Sequence, residues 1–171
     1  DLALETSYDT QEARAILTFD SFPAEEIASQ SAALAWLGAI RAPISGSLRA
    51  FVDPQGRLGP TTVRLAMEEG FLRPEGAENP IPIQSALTHL TYRPDQNIVT
   101  LDRLAISSDW VTFNAQGQAV LGDFKQGLPQ ETVFQLGLHN VQVTPTEESA
   151  VTLALDDAYV DFRLRLDPFE V

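Results

Sequence analysis

The chain has 171 residues, 44% apolar and 20% charged, with 24 acidic against 11 basic residues and a formal net charge of −13. This composition suits one domain or one elongated sheet and excludes intrinsic disorder. Its acidity argues against nucleic acid and anionic lipid surfaces, which need clustered Lys and Arg, and the lack of cysteine excludes disulfides, thiolate metal sites and Cys catalysis.

Alternation of period two dominates and is the mark of antiparallel strands with one wet face. It begins with Ala13, Ala15, Leu17 and Phe19 set against Arg14, Ile16 and Thr18. Phe22-Pro23-Ala24-Glu25-Glu26 then opens a helix, with Pro in the first turn and two acids at the positive end of the dipole. Ile27, Leu34, Leu37 and Ile40, with Trp36 beside them, recur at helical spacing until Pro43. They predict one α-helix over about 23–40. Alternation resumes at Leu48, Ala50 and Val52, and again at Val63, Leu65 and Met67. Residues 51–58, 91–98 and 112–119 each place an aromatic before a four-residue polar turn that ends in Gly56, Asn97 or Gly117. Gly and Asn tolerate positive φ, so the three predict a meander of like hairpins. Residues 73–82, 122–131 and 145–149 are rich in turn formers and predict loops. Phe134, Leu136 and Leu138 alternate with Gln135, Gly137 and His139. Val160, Phe162, Leu164 and Leu166 alternate with Asp161, Arg163, Arg165 and Asp167. With strand pattern running to its last residues and no initiator Met or signal peptide, the chain reads as a single segment, 1–171, of a longer protein.

No catalytic or metal-binding pattern stands out, and no cofactor is implied. His89 and His139 fall at solvent-side strand positions without companions in HxH or HExxH spacing. Ser45-Gly46-Ser47 lacks the context of a nucleophile and reads as a connector between helix and strand. The pairs Glu25-Glu26, Glu68-Glu69 and Glu147-Glu148 suit a helix start or turns, and adjacent strand residues face opposite ways, so no glycosidase pair of carboxylates emerges. Asp156-Asp157 would suit a calcium-binding turn, but the twelve-residue loop with its central Gly is missing. Phosphate loops are absent, Lys125 is the only lysine, and the arginines are scattered along the sequence. No apolar run approaches the ~18 residues of a membrane span.

What remains is an apolar face, which a helix, a second sheet, a partner or a ligand must cover. A helix of about 18 residues spans roughly 27 Å and covers only part of such a sheet. The run from Ala42 to Leu58, Ala-Pro-Ile-Ser-Gly-Ser-Leu-Arg-Ala-Phe-Val-Asp-Pro-Gln-Gly-Arg-Leu, follows an Ala-rich helix and resembles the AsmA-like superfamily of bacterial envelope proteins. Pro82 to Asp95, leading into Ile98 to Ile106, is similar to that superfamily's next β unit, and Tyr159 to Phe169 looks like the start of another. The YhdP-like branch is the nearest in pattern.

The resemblance implies a mainly β fold: an antiparallel meander of repeated hairpins forming a curved sheet or open trough, with the one helix. It implies a non-enzymatic segment of a periplasmic protein held by an inner-membrane anchor outside this chain. Such a protein carries phospholipid toward the outer membrane in outer-membrane biogenesis. The expected lining of the trough is Leu48, Ala50, Val52, Val63, Leu65, Met67, Phe134, Leu136, Leu138, Val160, Phe162, Leu164 and Leu166. Expected partners are phospholipid or another acyl-chain ligand, neighbouring β units of the same chain, and an edge-strand dimer in an isolated fragment; nucleic acid is not among them. The alternative is a closed β-sandwich, a protein-binding or adhesive module of an envelope or secreted protein.

Overall fold

A computed structural model describes residues 2–8, 13–30, 37–73, 79–125, 128–145, 151–166 and 169–170. The first elements are β1 (Leu2–Tyr8), β2 (Ala13–Pro23), the short helix α1 (Ala24–Ala28), β3 (Ile40–Arg41), β4 (Pro43–Val52) and β5 (Thr61–Met67). Next come β6 (Gly70–Leu72), β7 (Ile81–Ile83), β8 (Ser85–Arg93), β9 (Ile98–Ser107) and β10 (Val111–Leu121). The last are β11 (Phe124–Lys125), β12 (Leu128–Pro129), β13 (Glu131–Val143), β14 (Leu153–Leu166) and β15 (Phe169–Glu170). Ten of these strands form one sheet in the order β1-β2-β4-β5-β8-β9-β10-β13-β14-β15, every pair antiparallel. Among the described residues the fold is thus mainly β with one α-helix, and the sheet is open rather than closed into a barrel.

Alternation along a single strand breaks three times, and each break is a bulge at a polar dyad. On β2 the register shifts between Phe19 and Phe22, at Asp20-Ser21, where Ser21 has φ 51°. The Ser45 hydroxyl closes the gap by accepting from the Ser21 amide at 3.0 Å and donating to Asp20 Oδ1 at 2.9 Å. On β9 the shift falls at Asp102-Arg103 and is shared by both neighbouring strands. On β13 it falls near Asn140, with φ 52°. A bulge inserts one residue and so resets the phase of the pleat. Leu101 and Leu104, at odd spacing in sequence, therefore both join the apolar side.

Four of the remaining elements build a lid at one end of that side. Helix α1 and β3 lie in the connection from β2 to β4, and β6 and β7 in the connection from β5 to β8. Strands β3, β6 and β7 form their own three-stranded sheet. Ala24, Leu37 and Ile83 of the lid pack against Ile44 and Met67 of the large sheet, all of them buried. An ion pair between Arg41 and Glu25 ties β3 to α1.

Four sequence expectations are corrected. The helix does not extend to 40: it ends at Ala28, Leu37–Ala39 make a 3₁₀ turn, and Ile40 is already in β3, while 31–36 lie outside the described residues. Its stop is chemical. The Ser29 hydroxyl and the Gln30 side-chain Nε2 both donate to the Glu26 carbonyl, at 2.8 and 3.2 Å, taking the acceptor that a continuing helix would use, while the Gln30 backbone N–H donates to Ile27 O. The third turn, 114–117, does not exist, because β10 runs straight through it. There Gly117 answers to a close approach rather than a turn: a Cβ would sit 2.1 Å from the Gln135 carbonyl oxygen. The stretch 122–131 contains the small β11–β12 hairpin, closed by Gly122 N–H to Glu131 O and Gln130 N–H to Asp123 O, both 2.7 Å. The loop expected over 73–82 ends early, since β7 begins at Ile81. Most of 145–149 lies outside the described residues.

The other two turns form as expected. In the first, Asp53 Oδ1 accepts the amides of Gln55 and Arg57, each at 2.9 Å, and Oδ2 accepts Arg57 Nε at 2.7 Å. The Arg57 amide is the chief reason that the Asp53 carboxyl lies below its ordinary 3.8; desolvation opposes it, and the Arg57 guanidinium and Gln55 amide assist. A lowered carboxylate contributes stability above its unfolded value and loses it as pH falls through the folded one. The turn is therefore fully held at neutral pH. Carbon-detected NMR titration should place the Asp53 midpoint below 3.8; a midpoint at or above that value would contradict the geometry. Gly117→Ala should destabilise the protein by about 1–3 kcal/mol through overpacking, read as a lower urea midpoint with unchanged slope. An unchanged midpoint would show that β10 and β13 can spread.

The apolar face as a candidate functional site

Residues directly opposite in an antiparallel ladder point to the same side. Reading the register across the sheet gives rows. One runs Leu4, Leu17, Leu48, Val63, Leu90, Leu101, Gly117, Leu136, Val160 from β1 to β14 without a polar member. The row toward the lid runs Phe19, Gly46, Leu65, Thr88, Leu104, Ala115, Leu138, Ala158. On the other side Tyr92, Val99, Ala119, Phe134 and Phe162 align.

The register gathers the expected lining residues onto this one face. Leu48, Val63, Leu136 and Val160 share the central row, and Leu65 and Leu138 the row nearer the lid. Ala50 and Val52 lie opposite Ala15 and Ala13, and Leu164 lies opposite Thr132. Phe134 and Phe162 stack with ring centroids 4.5 Å apart and planes 9° from parallel. Met67 differs from the others in lying under the lid, in the core. The side chain of Leu166 lies outside the described residues.

The face is closed at one end and open at the other. Ile44 is 2% exposed beneath the lid, whereas Val160 and Phe162 are 40% and 37% exposed and Leu4 is 66% exposed. Between lid and sheet lies a cleft of about 230 Å³, lined by Leu37, Ile40 and Leu72 from above and Leu65, Leu90, Leu104 and Ile106 from below, among others. No buried side-chain polar atom lacks a hydrogen-bond partner among the described residues. A ligand in this cleft would meet hydrocarbon and nothing that selects a polar group. Sequence reading placed Leu37 and Ile40 on a long helix and not over the sheet, and missed Leu72 because it sits in a segment too short to show a period. It missed Leu104 and Ile106 because the bulge breaks the alternation; the signal was the polar dyad Asp102-Arg103 between two apolar residues.

The residues weighed for chemistry do not assemble. His89 on β8 and His139 on β13 are three strands apart, roughly 14 Å at the usual strand spacing. His139 Nδ1 meets Asp157 Oδ1 at 2.5 Å, and its Nε2 lies 3.2 Å from the Gln116 side-chain amide nitrogen, so both ring nitrogens are engaged by other side chains. Asp156-Asp157 lies within β14 and not in a turn. Ser45 serves the β2 bulge. Glu25-Glu26 opens α1, Glu68-Glu69 is exposed between β5 and β6, and Glu147-Glu148 lies outside the described residues. Among the described residues no group of three or more His, Cys, Asp or Glu is placed to hold a metal ion, and no helix is long and apolar enough to cross a membrane.

Comparison of the chain with protein-family models, curated proteins and solved structures finds no match.

The asymmetry of the face is measurable as stability. Ile44→Ala should cost about 2–5 kcal/mol, since it empties a sealed site, and Leu48→Ala on the open part roughly half as much or less, because part of that side chain already meets water. Equal losses in chemical denaturation would mean that the open part is covered in solution.

Proposed function

We propose that the chain is a segment of a periplasmic AsmA-like protein whose open apolar face holds the acyl chains of phospholipid during transport to the outer membrane. The observation that carries this reading is the central row: aliphatic residues and one glycine across nine strands, exposed toward β14 and sealed only beneath the lid. A water-soluble chain rarely leaves so continuous an apolar surface without a ligand or partner. Burying a methylene is worth ~0.8 kcal/mol, so a fatty chain laid along the face is held by length alone. No residue need act chemically, and the function is non-enzymatic. The edge of β14 supports the view of one unit among several: from Leu153 to Leu164 it has no partner beyond β13 among the described residues. Neighbouring β units of the same protein are the natural continuation, with the inner-membrane anchor elsewhere in that protein.

Gentle purification followed by mass spectrometry of extracted lipid tests the reading. Wild-type protein should carry phospholipid. Phe162→Asp and Val160→Asp, exposed enough to fold, should lose most of it. Tyr159→Asp, on the same strand but the opposite face and 79% exposed, should retain it. Lipid-free wild-type protein that also ignores fluorescent acyl probes would sink the proposal.

A further inference from the structure

The opposite, polar face of the sheet carries a second ordered set that the lipid reading does not use. In the register Ser47, Arg64, His89 and Arg103 stand directly opposite one another on β4, β5, β8 and β9. Arg49, opposite Thr62, is the diagonal neighbour of Arg64. Arginines that are scattered in the sequence are thus gathered on adjacent strands. With strands about 4.8 Å apart, Arg64 and Arg103 flank His89 at a separation of roughly 10 Å.

Three facts set this group apart. Arg49, Arg64 and Arg103 are exposed and His89 is half-buried, and none of the four makes a side-chain hydrogen bond or ion pair among the described residues. Five other arginines are partnered, Arg41 with Glu25, Arg57 with Asp53, Arg163 and Arg165 with Glu131, and Arg14 over the Phe51 ring, while Arg73 and Arg93 have no such partner among the described residues. Finally, the chain carries a net charge of −13, so carboxylates are plentiful, yet none among the described residues pairs with these arginines, and Arg49 and Arg64 stand as diagonal neighbours of like charge. Asp102, in the bulge next to Arg103, accepts the Thr91 hydroxyl at 2.6 Å and pairs with neither arginine.

We infer that Arg64, His89 and Arg103, with Arg49 at the margin, form a binding site for a phosphate-type oxyanion. The guanidiniums offer charged forks from two sides and the imidazole lies between them. A tetrahedral oxyanion presents acceptors in enough directions to satisfy all three, where a planar carboxylate would satisfy one fork. A free phosphate or phosphomonoester and the phosphate of a lipid headgroup share this chemistry.

Inorganic phosphate titrated at fixed pH and ionic strength, with the two histidine ring signals followed by NMR, tests the site. His89 should shift saturably while His139 stays still. Arg64→Gln and Arg103→Gln should each weaken binding about tenfold, as expected for loss of one charged contact. Arg163→Gln should leave it unchanged. Both site variants should melt no lower than wild type, since neither guanidinium has a partner to lose. Sedimentation with phosphatidylglycerol vesicles, but not phosphatidylcholine vesicles, lost in the double variant, would assign the headgroup as the source. Phosphate binding without sedimentation would assign the free anion. Shifts that chloride reproduces, that never saturate, or that survive both substitutions would overturn the inference.

Discussion

The period of the β pleat governs this molecule. Successive side chains on a strand point to opposite faces, so one slipped residue would turn a whole apolar set into water. A long aliphatic row holds only if every strand keeps phase with its neighbours. Three polar dyads, Asp20-Ser21, Asp102-Arg103 and His139-Asn140, supply the corrections. On β14, Asp156-Asp157 lies across from the last of them, so that Leu155 and Leu153 remain in register with Val141 and Val143. The left-handed backbone that the bulges need falls on Ser21 and Asn140, small polar residues that bear it at modest cost.

The lid converts half of a flat problem into a core. Five buried apolar residues form the sealed cluster, Ala24, Leu37 and Ile83 from the lid and Ile44 and Met67 from one end of the sheet. Beyond it the face is held by lateral contacts between strands: Leu136 leaning over Gly117, Phe19 and Leu65 over Gly46, and Phe162 stacked on Phe134. Small residues in the pleat let larger neighbours lie flat across them. The result is a surface that stays apolar and smooth without being thick. The same pleat then sorts the charged residues onto the other side, where the cross-strand order that aligns leucines also aligns arginines.

Much of the large sheet was legible in the sequence. Alternation on β4, β5, β13 and β14 needed no structure, and it named residues that do share a face. Two of three proposed hairpins were right for the stated reason, with Gly56 at φ 78° and Asn97 at φ 53°. The third failed because Gly117 has a different cause, contact with the β13 backbone, which no local pattern reveals. The helix was drawn too long because Leu37 and Ile40 are apolar at helical spacing for another purpose: they face the large sheet from a 3₁₀ turn and a strand. Periodicity reports that a residue is buried, not which element buries it. The basic ladder was invisible for a similar reason, since its members are distant in sequence and meet only through register.

Chain order and sheet order nearly coincide: apart from the lid and the β11–β12 hairpin, each strand pairs with the ones before and after it. Closing such contacts needs only short loops, so little chain entropy is lost before pairing is rewarded, and such a topology folds quickly for a β protein. Stability then accrues from neighbour to neighbour, as in a repeat array, instead of through one central core. The edges open first and the strands beneath the lid open last. Amide exchange should accordingly be graded across the sheet, slowest in β4, β5 and β8 and fastest at β1 and β15, with a break at either margin leaving the rest standing.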